Sequence, residues 1–247
     1  MFKNFIMTLK RYKVAGVLNV FGLTFAFVAF YIIAAQVWYS VTYNRPLKDS
    51  DRVYLVSALW GATGGEGNEK WKATAPSPVT YESAEAFPQA ENVTHFRMYA
   101  LPAKVWAKVG HGDFQKFNLG CYDMSPRGVD VLGFDILYGD ASKMEEPNTV
   151  IMSESAALRI GVEIGDNIYF EGGEYYNSKR PEQVQTVVAI FKDFPKNTFL
   201  GDKHIFKNDN CNSGQGNNMW SYNHFIKFEK GADLEQFKKI WTDKYAK

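Results

Sequence analysis

From Val14 to Val41 the chain runs for twenty-eight residues without a single charge. Wound as a helix at ~1.5 Å per residue, that run is about 42 Å long, against ~30 Å of bilayer hydrocarbon. Buried helices of soluble domains rarely stay uncharged for so long. The run therefore predicts a membrane span, with the rest of the chain delivered to one side of it.

The flanks set which side. Lys3, Lys10, Arg11 and Lys13 precede the span, and no acid occurs in residues 1–43. Cationic flanks stay in the cytoplasm, so the N-terminus is expected inside and the chain from about Thr42 outside. Trp38, Tyr39 and Tyr43 fall where the far interface should lie. A cleaved signal peptide has an apolar core of roughly 7–15 residues. This run is far longer, and Ala34-Ala35-Gln36 is a poor cleavage site, which predicts an uncleaved anchor. Before it, Phe2, Phe5, Ile6 and Leu9 recur at helical spacing, as in a segment lying in the cytoplasmic interface. Inside the span, Gly16, Gly22 and Ala26 would let another helix approach, and Asn19 would seek a polar partner. The predicted organisation is an interfacial amphipathic segment over 1–13, a transmembrane helix over 14–43 and an exterior domain over 44–247.

The exterior part holds 24 Lys and Arg against 27 Asp and Glu, a balance of −3 that offers no electrostatic case for nucleic acid. Cys121 and Cys211 lie on the side where disulfides persist. A bridge between them and two buried thiols fit the sequence equally. No Cys/His spacing suits a metal.

Short strands and helices alternate along this part. Arg52–Trp60 has the period of a strand, with Val53 and Leu55 on one face and Tyr54 and Val56 on the other. Gly61–Gly67 reads as a hairpin tip; without a following Gly-Lys-Ser/Thr it is no phosphate cradle. Ser77-Pro78 reads as a helix start, with Val79, Ser83, Ala86 and Phe87 on one side and a stop at Pro88. Strands are expected at 93–100, 103–109, 114–121, 134–138, 149–152, 168–171, 184–191 and 222–228, with a brief pairing at 203–206. Ser153 is expected to cap a helix ending at Gly161, and a short helix is expected over 126–132. Residues 175–181 and 208–218 read as polar loops. Asp233 and Gln236 resemble a capping box for a last helix with the stripe Leu234, Phe237, Trp241 and Tyr245. The fold class that follows is α+β, a mixed sheet with helices packed on it.

The chemistry is sparse. His95, His111, His204 and His224 are scattered, with no metal-binding spacing. Ser153-Glu154-Ser155 sits between a strand and a helix, which explains it as a cap, and no nucleophile elbow is present. The carboxylate pairs Asp202/Asp209 and Glu145/Glu146 fall in loops, where a solvated acidic face is the default. Asn92-Val93-Thr94 is a glycosylation sequon only in a eukaryotic secretory pathway. No catalytic constellation, cofactor site or metal site is predicted.

The landmarks nevertheless fall in a familiar order. Asn19-Val20-Phe21-Gly22-Leu23 with Ala26, Asp51-Arg52-Val53-Tyr54 and Phe134-Asp135-Ile136-Leu137-Tyr138-Gly139-Asp140 come first. Glu146-Pro147-Asn148-Thr149-Val150-Ile151-Met152-Ser153-Glu154-Ser155-Ala156 and Ile164-Gly165-Asp166 follow. Val188-Ala189-Ile190-Phe191-Lys192-Asp193-Phe194-Pro195 and Gly231-Ala232-Asp233 complete the series. Together these pieces resemble the N-terminal part of a MacB/FtsX-type ABC transporter permease, in its long Bacteroidetes-like form.

The resemblance implies a first transmembrane helix followed by a periplasmic core domain, porter-like and mixed α/β, with an inserted mostly-β subdomain. It implies a non-catalytic permease subunit of an efflux or mechanotransmission system in the inner membrane. A separate cytoplasmic ATPase, a permease homodimer or partner permease, and a periplasmic partner or cargo are the implied associates. Such permeases carry further membrane helices after this domain. The sequence ends at Lys247 without a second apolar run, so it is expected to be a piece of a permease or a diverged single-pass relative. The other function class compatible with one span and one domain is a membrane-anchored sensor or ligand-binding module.

Overall fold

A computed structural model describes residues 7, 12–60, 70–75, 83–97, 104–108, 114–170, 183–208 and 222–245. The chain divides into two compact units, Met1–Asn44 and Arg45–Lys247.

The first unit holds helix α1, Lys13–Thr42, none of whose residues is buried. It is the one helix among the described residues long and apolar enough to cross a membrane. A helix apolar on all sides needs an apolar medium around it. Its hydroxyls suit that medium. Thr24 donates to the Val20 carbonyl at 2.8 Å and Thr42 to that of Trp38 at 2.7 Å, so neither would meet lipid unsatisfied.

The second unit is organised around one sheet of eleven strands. These are β1 (Val53–Val56), β4 (Ala90–Arg97), β5 (Lys104–Lys108), β6 (Phe114–Asn118), β7 (Cys121–Met124), β8 (Ile136–Gly139), β9 (Thr149–Ser153), β10 (Asn167–Phe170), β11 (Gln183–Phe191), β12 (Ile205–Asn208) and β13 (Tyr222–Phe228). Their order is β1-β13-β4-β7-β12-β9-β11-β10-β5-β6, with β8 continuing along β11. The pairs β7/β12 and β9/β11 are parallel and the others antiparallel. A separate hairpin pairs β2 (Ala58–Trp60) with β3 (Lys70–Lys72), as the glycine-rich stretch between them predicts, although that stretch itself lies outside the described residues.

Strand alternation sorts the core into two faces. On one face Phe96, Tyr122, Ile151, Phe191, Phe206 and Phe225 pack beneath Met144, Phe134 and Leu200. These come from the 3-10 helix Ala141–Glu145, the stretch after α2 (Gly128–Val131) and the loop before β12. Phe134 meets Phe191 and Phe206 edge-on, at 4.9 and 5.0 Å, a geometry favoured by ring quadrupoles. On the other face α3 (Glu154–Ile160) lays Ala156, Ala157 and Ile160 on Val150, Met152, Val187 and Ile205. Further along it, α4 (Leu234–Tyr245) lays Phe237 and Trp241 on Val56, Val93, Ile226 and Phe228. An irregularity in β11 between Val187 and Ala189 lets Val187 serve the α3 side while Val188 and Ala189 serve the aromatic side.

Helix ends follow the expected chemistry. The Ser153 hydroxyl accepts from the Ala156 amide at 3.3 Å, and Gly161 closes α3 in the left-handed region at φ 77°, donating to Ala157. Asp233 accepts from the amides of Glu235 and Gln236, while the Asp233 amide is taken by Gln89, so half of the expected capping box is supplied from another segment.

Three strand expectations change. The run 114–121 is two strands broken at Leu119-Gly120, because β6 ends the sheet at one edge while β7 lies between β4 and β12. The run 52–60 breaks at Ser57 into β1 of the main sheet and β2 of the hairpin. The brief pairing expected at 203–206 is instead an interior strand, β12, bonded on both sides and with Ile205 and Phe206 fully buried. Residues 76–82, 98–103, 171–182 and 209–221, on which the start of one helix, parts of three strands and two loops were expected, lie outside the described residues.

Candidate functional site

The chain enters the second unit through a tight turn. Asn44 and Asp49 adopt positive φ, 63° and 56°, as Asn and Asp tolerate better than most residues. The Arg52 amide donates to the Asp49 carbonyl at 2.8 Å. This turn leads directly into β1, and it is fastened to the sheet by charge.

Lys227 carries the fastening. It lies on β13, opposite Asn92 of β4, and only 4% of it is exposed. Its ammonium stands 3.0 Å from Asp130 of α2, 3.2 Å from Asp49 and 3.5 Å from Glu91. Arg52 pairs with the same Asp49 at 3.0 Å and with Glu91 at 2.5 Å, and donates to the Phe228 carbonyl at 2.9 Å. Asn92 donates to the second Asp130 oxygen at 3.1 Å. Two cations and three carboxylates thus join the leading turn, β4, α2 and β13 in one network.

The carboxylates respond accordingly. Hydrogen bonds from Arg52 and Lys227 hold Asp49 below the usual carboxylate range. For Asp130, burial pushes upward, but the bonds from Asn92 and Lys227 outweigh it and the net direction is down. Burial would lower Lys227, yet its bonds to Asp130 and Asp49 hold it above the ordinary lysine value. A buried ammonium without these partners would be strongly unfavourable. Seating the turn therefore gives Lys227 one of its three carboxylate partners.

A second fastening joins the same strand to the last helix. The Trp241 indole donates to the Ser57 carbonyl at 3.0 Å. Phe228 meets Phe237 at 5.0 Å and Tyr54 at 5.7 Å, both edge-on, and Phe237 stacks on Trp241 at 5.8 Å. A cleft of about 300 Å³ remains between β1 and α4, lined by Tyr54, Leu55, Phe237 and Trp241 among others.

The residues that sequence singled out lie elsewhere. Ser153, Ser155, Asp193 and His204 do converge: Ser153 Oγ is 2.9 Å from His204 Nδ1, and Asp193 Oδ1 is 3.4 Å from the same nitrogen. A hydrolytic triad needs the hydroxyl and the carboxylate on opposite ring nitrogens, so this cluster does not form one. Ser155 gives both hydroxyl and amide to Asp193. Burial raises the Asp193 carboxyl, but these bonds outweigh it and hold it low. The group locks the start of α3 to the stretch after β11. His95 and His224 are buried in neighbouring strands, their rings 6.4 Å apart, and His224 reaches the Ala75 carbonyl. Asp202 pairs with Lys203, Glu145 and Glu146 are exposed, and His111, Asp209 and Cys211 lie outside the described residues. Cys121 is a buried free thiol that desolvation pushes far up. No three His, Cys, Asp or Glu side chains among the described residues could hold a metal ion.

Sequence reasoning reached Asp51-Arg52 but missed Lys227 and its carboxylates. The available signal was a lysine within Tyr222–Phe228, a run with the aromatic and aliphatic content of a strand, which is buried at every position. A cation there requires nearby acids.

A family model described as the MacB-like periplasmic core domain matches residues 10–243. No curated protein matches the chain. Among solved structures, a domain described as part of a permease protein from Porphyromonas gingivalis is similar at TM-score 0.60 and 15% identity, covering 81% of this chain and 83% of that one. At that identity the likeness concerns the fold. The periplasmic region of MacB from Actinobacillus actinomycetemcomitans gives 0.48 at 11% identity, over 79% of this chain and 85% of that one. The extracellular domain of the noncanonic ABC-type transporter YknZ from Gram-positive bacteria gives 0.49 at 12%, over 78% and 95%.

Proposed function

We propose, from the premise that this chain belongs to the MacB-like periplasmic core domain family, that it is a non-catalytic permease component of an ABC-type system. In this reading α1 is anchored in the inner membrane with its N-terminus in the cytoplasm. The unit from Arg45 onward stands in the periplasm and receives motion from the membrane helix. ATP hydrolysis belongs to a separate cytoplasmic subunit, and the assembly pairs this chain with a second permease.

The observation that supports transmission is the seating of the leading turn by Lys227. Residues 43–52 connect α1 to the sheet, and a displacement delivered through a loose connector would be dissipated before reaching the domain. Here Asp49 and Arg52 are bound to β4 and β13 by bonds of 2.5–3.2 Å, so a pull on the turn is a pull on the sheet. The last helix packs on Val56 of β1 and bonds through Trp241 to Ser57 just after it, so a segment continuing from α4 would act on the same strand.

Two measurements test this reading. An alkaline phosphatase fused after Lys247 should be active, and a green fluorescent protein fused there after Sec export should be dark; the reverse pattern refutes the orientation. The purified chain in nanodiscs should neither bind ATP by calorimetry nor hydrolyse it, and micromolar ATP affinity would remove the case for a separate energy source.

A further inference from the structure

Seven large apolar side chains of the second unit are exposed among the described residues, and three of them are gathered in one place. Leu158 of α3 is 78% exposed, Tyr138 of β8 58% and Ile164 43%. With Ile190 and Val162 they line a hollow of about 590 Å³ between α3, the turn after it and the β8 edge. Gly139, at φ 83°, lets Ile164 pack close against β8: a Cβ there would lie 2.7 Å from Ile164 Cδ1. Isolated exposed apolar residues need no explanation, but a clustered set around a concavity marks a surface that is covered.

Glu154 and Glu163 line the same hollow. Among the described residues neither carboxylate has a cation within ion-pair distance, unlike the acids around Lys227. A second copy docking through the same face would bring these carboxylates toward each other, a like-charge juxtaposition that opposes association. The complementary occupant is apolar at its centre and cationic at its margins.

We propose that this hollow is a docking site for another protein's segment that presents an aliphatic side chain between Lys or Arg residues. The aliphatic group lies against Leu158, Ile164 and Tyr138, and the cations meet Glu154 and Glu163. This surface is separate from the Lys227 network and from the β1–α4 cleft, and it does not depend on the proposed transmission.

The test uses the full chain in zwitterionic nanodiscs and two fluorescein-labelled hexapeptides, Lys-Lys-Leu-Leu-Lys-Lys and Glu-Glu-Leu-Leu-Glu-Glu. Anisotropy, corrected with empty nanodiscs, should show saturable binding of the basic peptide and at least tenfold weaker binding of the acidic one. Leu158→Ser and Glu163→Lys are surface changes, and each should weaken the basic peptide about tenfold. Leu55→Ser, in the other cleft, should leave it unchanged, and hydrogen exchange should slow at 154–164 when peptide binds. Equal binding of the two peptides, indifference to Leu158→Ser, or loss with Leu55→Ser would overturn the proposal. So would a dimer that sedimentation detects in the parent chain and Leu158→Ser abolishes.

Discussion

The indole nitrogen of Trp241 donates a 3.0 Å hydrogen bond to the carbonyl of Ser57, a residue 184 positions earlier. The bond joins the last helix to the residue that follows the first strand, so both ends of the second unit share one piece of structure. Trp241→Phe keeps most of the ring but removes the donor, leaving the Ser57 carbonyl to the remaining solvent. The expected loss is about 1 kcal/mol. Phe237→Ala, which empties the space between Phe228, Phe87 and Trp241, should cost roughly 3 kcal/mol. Urea unfolding of the two variants measures the difference.

Lys227→Met removes the cation while keeping a similar length of side chain. It leaves Asp49, Glu91 and Asp130 facing one another, with Arg52 bonded to the first two and only the more distant charge of Lys48 acting on the third. The carboxylates retain some water, so the expected loss is about 2 kcal/mol, below the ~3–5 kcal/mol for a fully buried pair. Adding Asp130→Asn should recover part of the loss, since one of the opposed charges is then gone. If the double variant is less stable than Lys227→Met by the full cost of Asp130→Asn alone, the two residues are uncoupled and the network is misassigned.

The same network sets an acid limit. Asp49 and Asp130 titrate below their ordinary values in the folded state, so their contribution is fully present above the unfolded carboxylate value of about 3.9. It is lost as pH falls through their lowered folded values. Lys227 is raised, so its contribution is fully present below about 10.4 and is lost only as pH rises through its folded value. Stability from this group should therefore be flat from about pH 5 to 10 and decline below about 4. Urea midpoints measured across that range should show a shallower acid decline in Lys227→Met than in the parent chain.

Glycine positions separate two costs. At Gly139 a Cβ would meet the Val188 carbonyl oxygen at 2.3 Å as well as a left-handed backbone, whereas at Gly231, φ 82°, it would meet open space. Gly231→Ala should cost about 1 kcal/mol from backbone strain alone. Gly139→Ala should cost clearly more, because β8 must move off β11 to admit the methyl group. Similar thermal midpoints for the two would show that β8 yields freely.

The long apolar helix α1 and most strands were legible in the sequence because these depend on local pattern. A charge-free run, alternation at Val105 and Ala107, and Ser153 and Gly161 bracketing α3 can each be read within a few residues. What stayed hidden was set by distance. Residues 114–121 read as one strand, and only the sheet order reveals that 114–118 and the strand starting at Cys121 belong to different parts of it. Ile205-Phe206 is too short to announce an interior strand, and its depth comes from β7 and β9 on either side. The Lys227 network draws on residues 49, 52, 91, 130 and 227, which no spacing rule connects. The convergence of Ser153 and Asp193 on His204 was equally unreadable, and only its geometry shows that it is not a hydrolytic triad.

The central claim is that the turn after α1 moves as one body with the sheet and the last helix. It is tested by spin labels on Asp51→Cys and Glu235→Cys, both at exposed positions, in the full chain with Cys121→Ala and Cys211→Ala. Double electron–electron resonance in nanodiscs should give one narrow distance distribution, broadened when Lys227→Met unseats the turn. A broad or multiple distribution with Lys227 in place would contradict the account, since a turn that wanders over the sheet cannot transmit displacement to it.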